Sequence, residues 1–228
     1  MCAMQWPEPH ALPLQFAGES FLLDAQGVLF APQKRTLIVS DLHLEKASFL
    51  QLFGHPVPTL DSHDTLLRLQ HVIGHYNPET VICLGDSWHD TQAGQRMSED
   101  DQSLLSRLCQ SVQRWVWVLG NHDPALPHFC KGEQTAHVQL GDIRLCHEPE
   151  ATPSPQIVGH YHPKTSITLR RGHKAKGRCF LSDNALLIMP SFGSYTGGLD
   201  ASHDAIRSLF AHDPTVHLLH SNKVWHIT

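Results

Sequence analysis

Five short polar signatures recur along the chain, and each follows an apolar, β-branched run. Asp41-Leu42-His43 follows the run 36–40, and Gly85-Asp86 follows 80–84. Gly120-Asn121-His122-Asp123 follows 115–119, His147 follows 143–146, and Gly159-His160-Tyr161-His162 follows 157–158. Carboxylate, imidazole and amide donors without thiolate suit a catalytic Mn²⁺, Fe or Zn²⁺ site and disfavour a structural zinc site, which usually recruits Cys. Four His, two Asp and one Asn are more than one ion needs, so two divalent ions sharing one Asp is the natural count. Residues i and i+2 of an extended chain point to the same side, which lets Asp41 with His43, and His160 with His162, face one ion together. Gly85, Gly120 and Gly159 allow tight turns just before the ligands. Most of the 19 histidines need no explanation beyond the surface or a local hydrogen bond.

The apolar runs have the length and composition of buried strands. Segments 62–76 and 98–112 between them carry helical spacing, with Asp61 or Ser62 and Ser98 as N-caps. This alternation predicts an α/β layer architecture in the first half, with ligands gathered beyond the carboxyl ends of the strands. The second half reads as strands joined by short turns, over 138–140, 143–146, 165–169, 178–181, 185–189, 216–219 and 224–227. A second, mostly antiparallel sheet is expected there. The prediction is an α/β fold of two packed mixed β-sheets flanked by helices, forming one domain over residues 1–228.

Composition narrows the function classes. The chain has 228 residues, 41% hydrophobic and 17% charged, which suits a globular protein with a sizeable core and argues against disorder. A net charge of -5 argues against a polycationic, non-specific nucleic-acid binder, although two bound divalent cations would change the field locally. Pro7, Glu8, Pro9 and Pro13 do not make a secretory signal, and no apolar run is long enough to span a membrane. Six scattered cysteines without a Cys-x-x-Cys pair read as reduced thiols and place the protein in the cytoplasm.

Taken in order, these signatures resemble the calcineurin-like metallophosphoesterase superfamily. The resemblance implies a four-layer α/β/β/α sandwich with Asp41, His43 and His162 on a first metal, Asn121, His147 and His160 on a second, and Asp86 bridging the two. It assigns His122 to the scissile phosphate and the leaving group, and Asp123 to orienting that imidazole. His89, just past the bridging Asp, is either a phosphate contact or a residue packed in the loop. The implied chemistry is in-line attack on a phosphodiester by a hydroxide held between the metals.

Ser40-Asp41-Leu42-His43-Leu44-Glu45-Lys46-Ala47, Gly85-Asp86-Ser87-Trp88-His89-Asp90, Gly159-His160-Tyr161-His162-Pro163 and the tail from Met189 to Leu199 are similar to one bacterial branch. That branch contains the ligase-associated DNA-damage-response phosphoesterases. It implies a Mn²⁺-dependent endonuclease acting on single-stranded DNA in DNA repair, associated with a DNA ligase and a helicase. The tail motif carries no ligand and reads as a Gly-rich turn beneath the site. The basic cluster Lys164, Arg170, Arg171, Lys174, Lys176 and Arg178 lies in a hairpin after the last ligands. It is either a phosphate-binding patch, with Arg170, Arg171 and Lys174 as its contacts, or a solvated hairpin tip. Tyr161, Phe192 and Tyr195 are the aromatics at hand for base stacking. Two alternatives stand beside the nuclease: a phosphoesterase acting on a nucleotide, cyclic nucleotide or other small phosphodiester, and a non-catalytic scaffold of the same fold.

Overall fold

The structure is a computed structural model that describes residues 10–168 and 172–227. Its first sheet has the order β1-β2-β3-β4-β5-β6-β7, built from β1 (Ala11–Phe16), β2 (Glu19–Asp24), β3 (Leu29–Ala31), β4 (Thr36–Val39), β5 (Thr80–Leu84), β6 (Arg114–Val118) and β7 (Glu133–Thr135). It is antiparallel from β1 to β4 and parallel from β4 to β7. Parallel neighbours need crossovers. Helices α1 (Lys46–Leu52) and α2 (Asp61–Tyr76) connect β4 to β5, and α3 (Ala93–Arg96) and α4 (Glu99–Gln110) connect β5 to β6.

The continuous apolar runs of β4 to β6 follow from burial on both faces. Leu37, Val39, Val81 and Cys83 face a core shared with Leu66 of α2 and Leu105 of α4. The alternate residues Ile38, Ile82, Leu84 and Val116 face the second sheet, where they meet Leu145 and Ile157. This is the two-residue period of a strand, with each side given its own apolar partner.

The second sheet uses β8 (His137–Leu140), β9 (Ile143–Cys146), β10 (Gln156–Val158), β11 (Lys164–Thr168), β12 (Lys174–Ser182), β13 (Leu186–Ile188), β14 (Thr215–His220) and β15 (Lys223–Ile227). The order is β15-β14-β12-β13-β10-β9-β8, with β11 paired to β12. The sheet is mixed as expected, because β10 runs parallel to both β9 and β13 while the other pairs are antiparallel. Its outer face is covered thinly, by Ile206 of the one-turn helix α5 (Asp204–Arg207) and by Phe210.

Two expectations need correction. Ser98 caps α4 as read, accepting from the Asp101 amide at 3.2 Å. The cap position of α2 is Leu60, however, and neither Asp61 nor Ser62 serves it. The Asp61 carboxylate accepts from the Ala47 amide at 2.9 Å, and Ser62 Oγ lies between the Glu45 amide and the Glu45 carboxylate, at 2.7 Å from each. Both side chains therefore hold the turn that follows His43. Strands β1 to β3 and β7 are additions to the expected elements; β1 and β7 are half exposed and β3 is only three residues long, so they carry little periodic signal.

The tail segment lies under the end of β4, where the Phe192 amide donates to the Ser40 carbonyl at 2.7 Å and the Gly193 amide to that of Asp41 at 3.1 Å. Two arginines hold it from behind. Arg178 donates to the carbonyls of Ser191 at 2.6 Å and Gln26 at 3.2 Å, and Arg68 donates to that of Phe192 at 2.8 Å while lying over its ring. Burial pulls the Arg178 guanidinium down to about 9, which still leaves it charged at neutral pH. Arg178→Met strands these carbonyls and is expected to cost about 2 kcal/mol. A urea titration should show a lower midpoint at unchanged slope. Lysine should not restore it, because a point charge cannot bridge carbonyls on two segments as the guanidinium fork does.

Candidate metal centre

All five polar signatures follow strands of the two parallel sets. Asp41 lies beyond β4, Asp86 beyond β5, Asn121 and His122 beyond β6, His147 beyond β9, and His160 and His162 beyond β10. Parallel strands end on one side, so these turns converge where the two sheets meet. Two glycines permit the approach. At Gly85 (φ 77°) a Cβ would overlap the His147 ring, and at Gly159 it would overlap Ser40 Oγ and Asp41 Oδ2.

The candidate ligands form two adjoining groups, Asp41 with His43 and His162, and Asp86 with His147 and His160, each with its ligand atoms within 4.8 Å of one another; His43 also belongs to a third such group with His89 and His122. In the first, His162 Nε2 is 3.1 Å from Asp41 Oδ1 and 3.2 Å from His43 Nε2. In the second, His147 Nε2 is 3.3 Å from Asp86 Oδ2, 3.1 Å from Asn121 Oδ1 and 3.2 Å from His160 Nδ1. Asp86 Oδ2 also lies 3.8 Å from His43 Nε2, so one carboxylate oxygen faces both groups. Imidazole lone pairs aimed at each other at 3.2 Å repel unless a proton or a cation lies between them. This donor set of nitrogens and oxygens fits two divalent ions, with Asp86 placed to touch both.

Backbone contacts fix the ring orientations. His147 Nδ1 donates to the Leu84 carbonyl at 3.3 Å, which leaves Nε2 as its ligand atom. The carboxylates are clamped as well. Asp86 Oδ1 accepts from the His122 amide at 2.9 Å, and Asp41 accepts from the His160 amide at 3.1 Å and from Ser40 Oγ at 2.5 Å. Burial acts to raise both carboxyls, but the neighbouring imidazoles and amides outweigh it and hold Asp41 and Asp86 below the usual range. Burial pulls His43 down to about 3. It also opposes charge on His147, yet Asp86 and Asp41 prevail and push that imidazole up to about 9.

The paired ligands do not lie on extended chain. Asp41, His43, Asp86, His160 and His162 all have positive φ, between 44° and 69°, so the ligand turns are left-handed. Asp41 and His43 do share a group, whereas His160 and His162 face different ones. A turn sends successive side chains in diverging directions, and here it places one imidazole in each group.

Asp123 is also corrected. Its buried carboxylate accepts from the amides of Ser87 at 2.7 Å, Trp88 at 3.1 Å and Gly120 at 2.9 Å, and burial pushes it up to about 6. It ties the β5 and β6 turns together and is not bonded to the His122 imidazole. That imidazole donates from Nδ1 to the His89 carbonyl at 2.7 Å, which turns Nε2 to within 4.0 Å of Asp86. His89 stacks on His122 with centroids 5.3 Å apart, and its Nδ1 is 3.4 Å from that of His43.

Of the basic cluster, Arg170 and Arg171 lie outside the described residues. Arg178 supports the tail, and Lys164 donates to the Thr196 carbonyl at 3.1 Å. Lys174 and Lys176 are exposed, and Lys174 pairs with Thr168, about 13 Å along the strand from Lys164. Phe192 is fully buried and cannot stack on a base. Lys46 was missed: its charge opposes protonation of both His43 and His89. The one signal for it was its place three residues after His43.

A family model described as calcineurin-like phosphoesterase matches residues 34–220. No curated protein matches the sequence. Among solved structures, the Pseudomonas putida nuclease MPE is similar over 96% of this chain and 100% of its own, with a TM-score of 0.75 at 23% identity, a likeness that bears on the fold. The E. coli phosphoesterase Yfce is 15% identical over 84% of this chain and 97% of its own, with a TM-score of 0.41. The family match runs from just before β4 to the end of β14 and takes in every candidate ligand, and the chain belongs to the calcineurin-like phosphoesterase family.

Proposed function

We propose that the protein is a two-metal phosphodiesterase that cuts single-stranded DNA, with Mn²⁺ as its working ion and DNA repair as its setting. The observation that carries the reading is the pair of donor groups sharing Asp86, with His122 Nε2 turned towards them. In this reading Asp41, His43 and His162 would hold one ion, Asn121, His147 and His160 would hold the other, and Asp86 would be shared between them. Two bound divalent ions supply an activated water and neutralise charge on the phosphate oxygens.

The chain's own residues do the rest. The His89 carbonyl fixes His122 as the Nδ1–H donor, so Nε2, when protonated, is the atom that can give a proton to the departing oxygen. The His89 ring beside it is a phosphate contact. A polymer substrate is supported by the nuclease fold relative and by the exposed Lys174 and Lys176 on the hairpin. Lys174 would meet phosphates away from the one being cut, and Arg170 and Arg171 are proposed as further phosphate contacts. No described helix is long and apolar enough to cross a membrane. A cytoplasmic site of action, and functional association with a DNA ligase and a helicase, complete the proposal. A small phosphodiester is the competing substrate, favoured by the net charge of -5.

Removing a metal donor and removing a proton donor should differ in kind. His122→Ala is expected to keep both ions by elemental analysis and to lose about 10²- to 10⁴-fold in kcat. Asp86→Ala should lose metal and turnover together, and full Mn²⁺-dependent hydrolysis by that variant would overturn the site assignment.

Metal loading should release a proton. His147 in the metal-free site is held up to about 9 by Asp86 and Asp41, and an imidazole binds metal only when neutral. Apparent metal affinity should therefore rise about tenfold per pH unit from neutrality and level off near 9. Calorimetry in buffers of different ionisation enthalpy should detect about one proton released per centre at pH 7.

The substrate is tested by assaying single-stranded DNA, duplex DNA, nucleotides and a small aryl phosphodiester with Mn²⁺, Mg²⁺ and Zn²⁺ supplied separately. Fastest cleavage of the single strand with Mn²⁺ is expected. Turnover of the small diesters alone would replace the nuclease reading.

A further inference from the structure

Helix α1 begins three residues after His43 and carries Lys46 and Phe49, with Phe53 as its cap residue. Positions i, i+3 and i+7 share one helix face. The Phe49 ring meets His89 edge-on at 4.7 Å and meets Phe53 at 5.0 Å, while His89 stacks on His122 at 5.3 Å. Four rings thus run without a break from the centre to the surface. The outermost is Phe53, which is 67% exposed beside Leu52 at 66%. Nothing in the fold requires an aromatic there, since α1 anchors itself through buried Ala47 and through the Asp61 and Ser62 contacts described above.

We infer that Phe53 and Phe49, with Lys46 at the head of the same helix, form a stacking subsite for an unpaired nucleobase close to the scissile phosphate. The inference rests on the phosphodiesterase reading and names what that site would recognise beyond a phosphate. Continuity of the rings with His89 and His122 places the platform within about 15 Å of the His122 ring, a few nucleotides of chain. Lys46 supplies charge complementary to the backbone that must pass it. An aromatic platform accepts any base through its π-face, so it gives grip without sequence choice. Duplex bases are already stacked on each other and offer no free face, so the subsite selects unpaired strands.

The test compares the metal-loaded wild type with Phe53→Ala and Phe53→Trp on three substrates. These are oligothymidylate, an oligomer of the same length made only of abasic sites, and methyl para-nitrophenyl phosphate. Phe53→Ala should raise KM for oligothymidylate about tenfold, leave kcat nearly unchanged, and leave the abasic oligomer and the small diester unaffected. Phe53→Trp should keep the wild-type KM. Fluorescence of an oligonucleotide carrying 2-aminopurine, read with Ca²⁺ in place of Mn²⁺ to hold back turnover, reports stacking without cleavage. Quenching that is present in the wild type and in Phe53→Trp but lost in Phe53→Ala supports the subsite, even if the strand is never cut and the nuclease reading falls. Equal quenching in all three proteins, or an equal KM change on oligothymidylate and its abasic counterpart, overturns the subsite and leaves the nuclease reading standing.

Discussion

Two carboxylates buried between the sheets, Asp41 and Asp86, are the constraint on which the rest depends. An ionised carboxyl removed from water is costly unless its oxygens are met by hydrogen-bond donors or cations. Neither strand that carries one can supply enough of them. Asp41, at the end of β4, takes its donors from the neighbouring Ser40 and from His160 and His162 beyond β10 in the other sheet. Asp86, at the end of β5, takes the His122 amide beyond β6 and the His147 ring beyond β9. The sheets must therefore pack with these ends in register, and the apolar interface through Ile82, Leu84, Leu145 and Ile157 holds that register. The ion-binding geometry and the core packing express one arrangement.

The same constraint explains the left-handed ligand turns. A strand that simply continued would carry its next side chains past the end of the sheet, alternately up and down. Turning the backbone at Asp41, Asp86 and His160 folds the polar groups back over the sheet ends. The left-handed region costs a non-glycine residue about 1–2 kcal/mol. Asp and His are among the residues that tolerate it best, and the clamps on Asp41, Asp86 and His147 offset it. Strain concentrated at residues that hold ions is the usual place for a fold to carry it.

This division decides what could be read from the chain. The strands 80–84 and 143–146 were legible to the residue, the first because double burial leaves a nearly unbroken apolar run and the second because Ile143, Leu145 and Cys146 are buried around the single polar Arg144. The convergence of the polar endings was legible too, since parallel strands leave no other place for them. Partners fixed only by tertiary approach were not. Asp123 follows His122 in sequence, yet its oxygens meet amides of the β5 turn, and Arg178 sits in a basic run while serving carbonyls on two distant segments. Phe192 and Phe53 each precede a glycine, but one is fully buried under the site and the other lies on the surface. Nothing in the sequence marks Phe53, ten residues past His43, yet its ring meets Phe49, which in turn meets His89.

The second donor group shows how the fold prepares for cations. His147 and His160 present nitrogens to each other at 3.2 Å, and the Leu84 carbonyl and the Gly85 turn keep the His147 lone pair from turning away. Without a cation, an N–H on either ring relieves the contact, and the two carboxylates lend His147 the basicity to hold a proton. His43 behaves oppositely, because burial and the charge of Lys46 keep it neutral. The centre thus has one imidazole ready for metal and one guarded by a proton. Both states satisfy the same buried carboxylates, so the fold can hold this geometry before the ions arrive instead of building it around them.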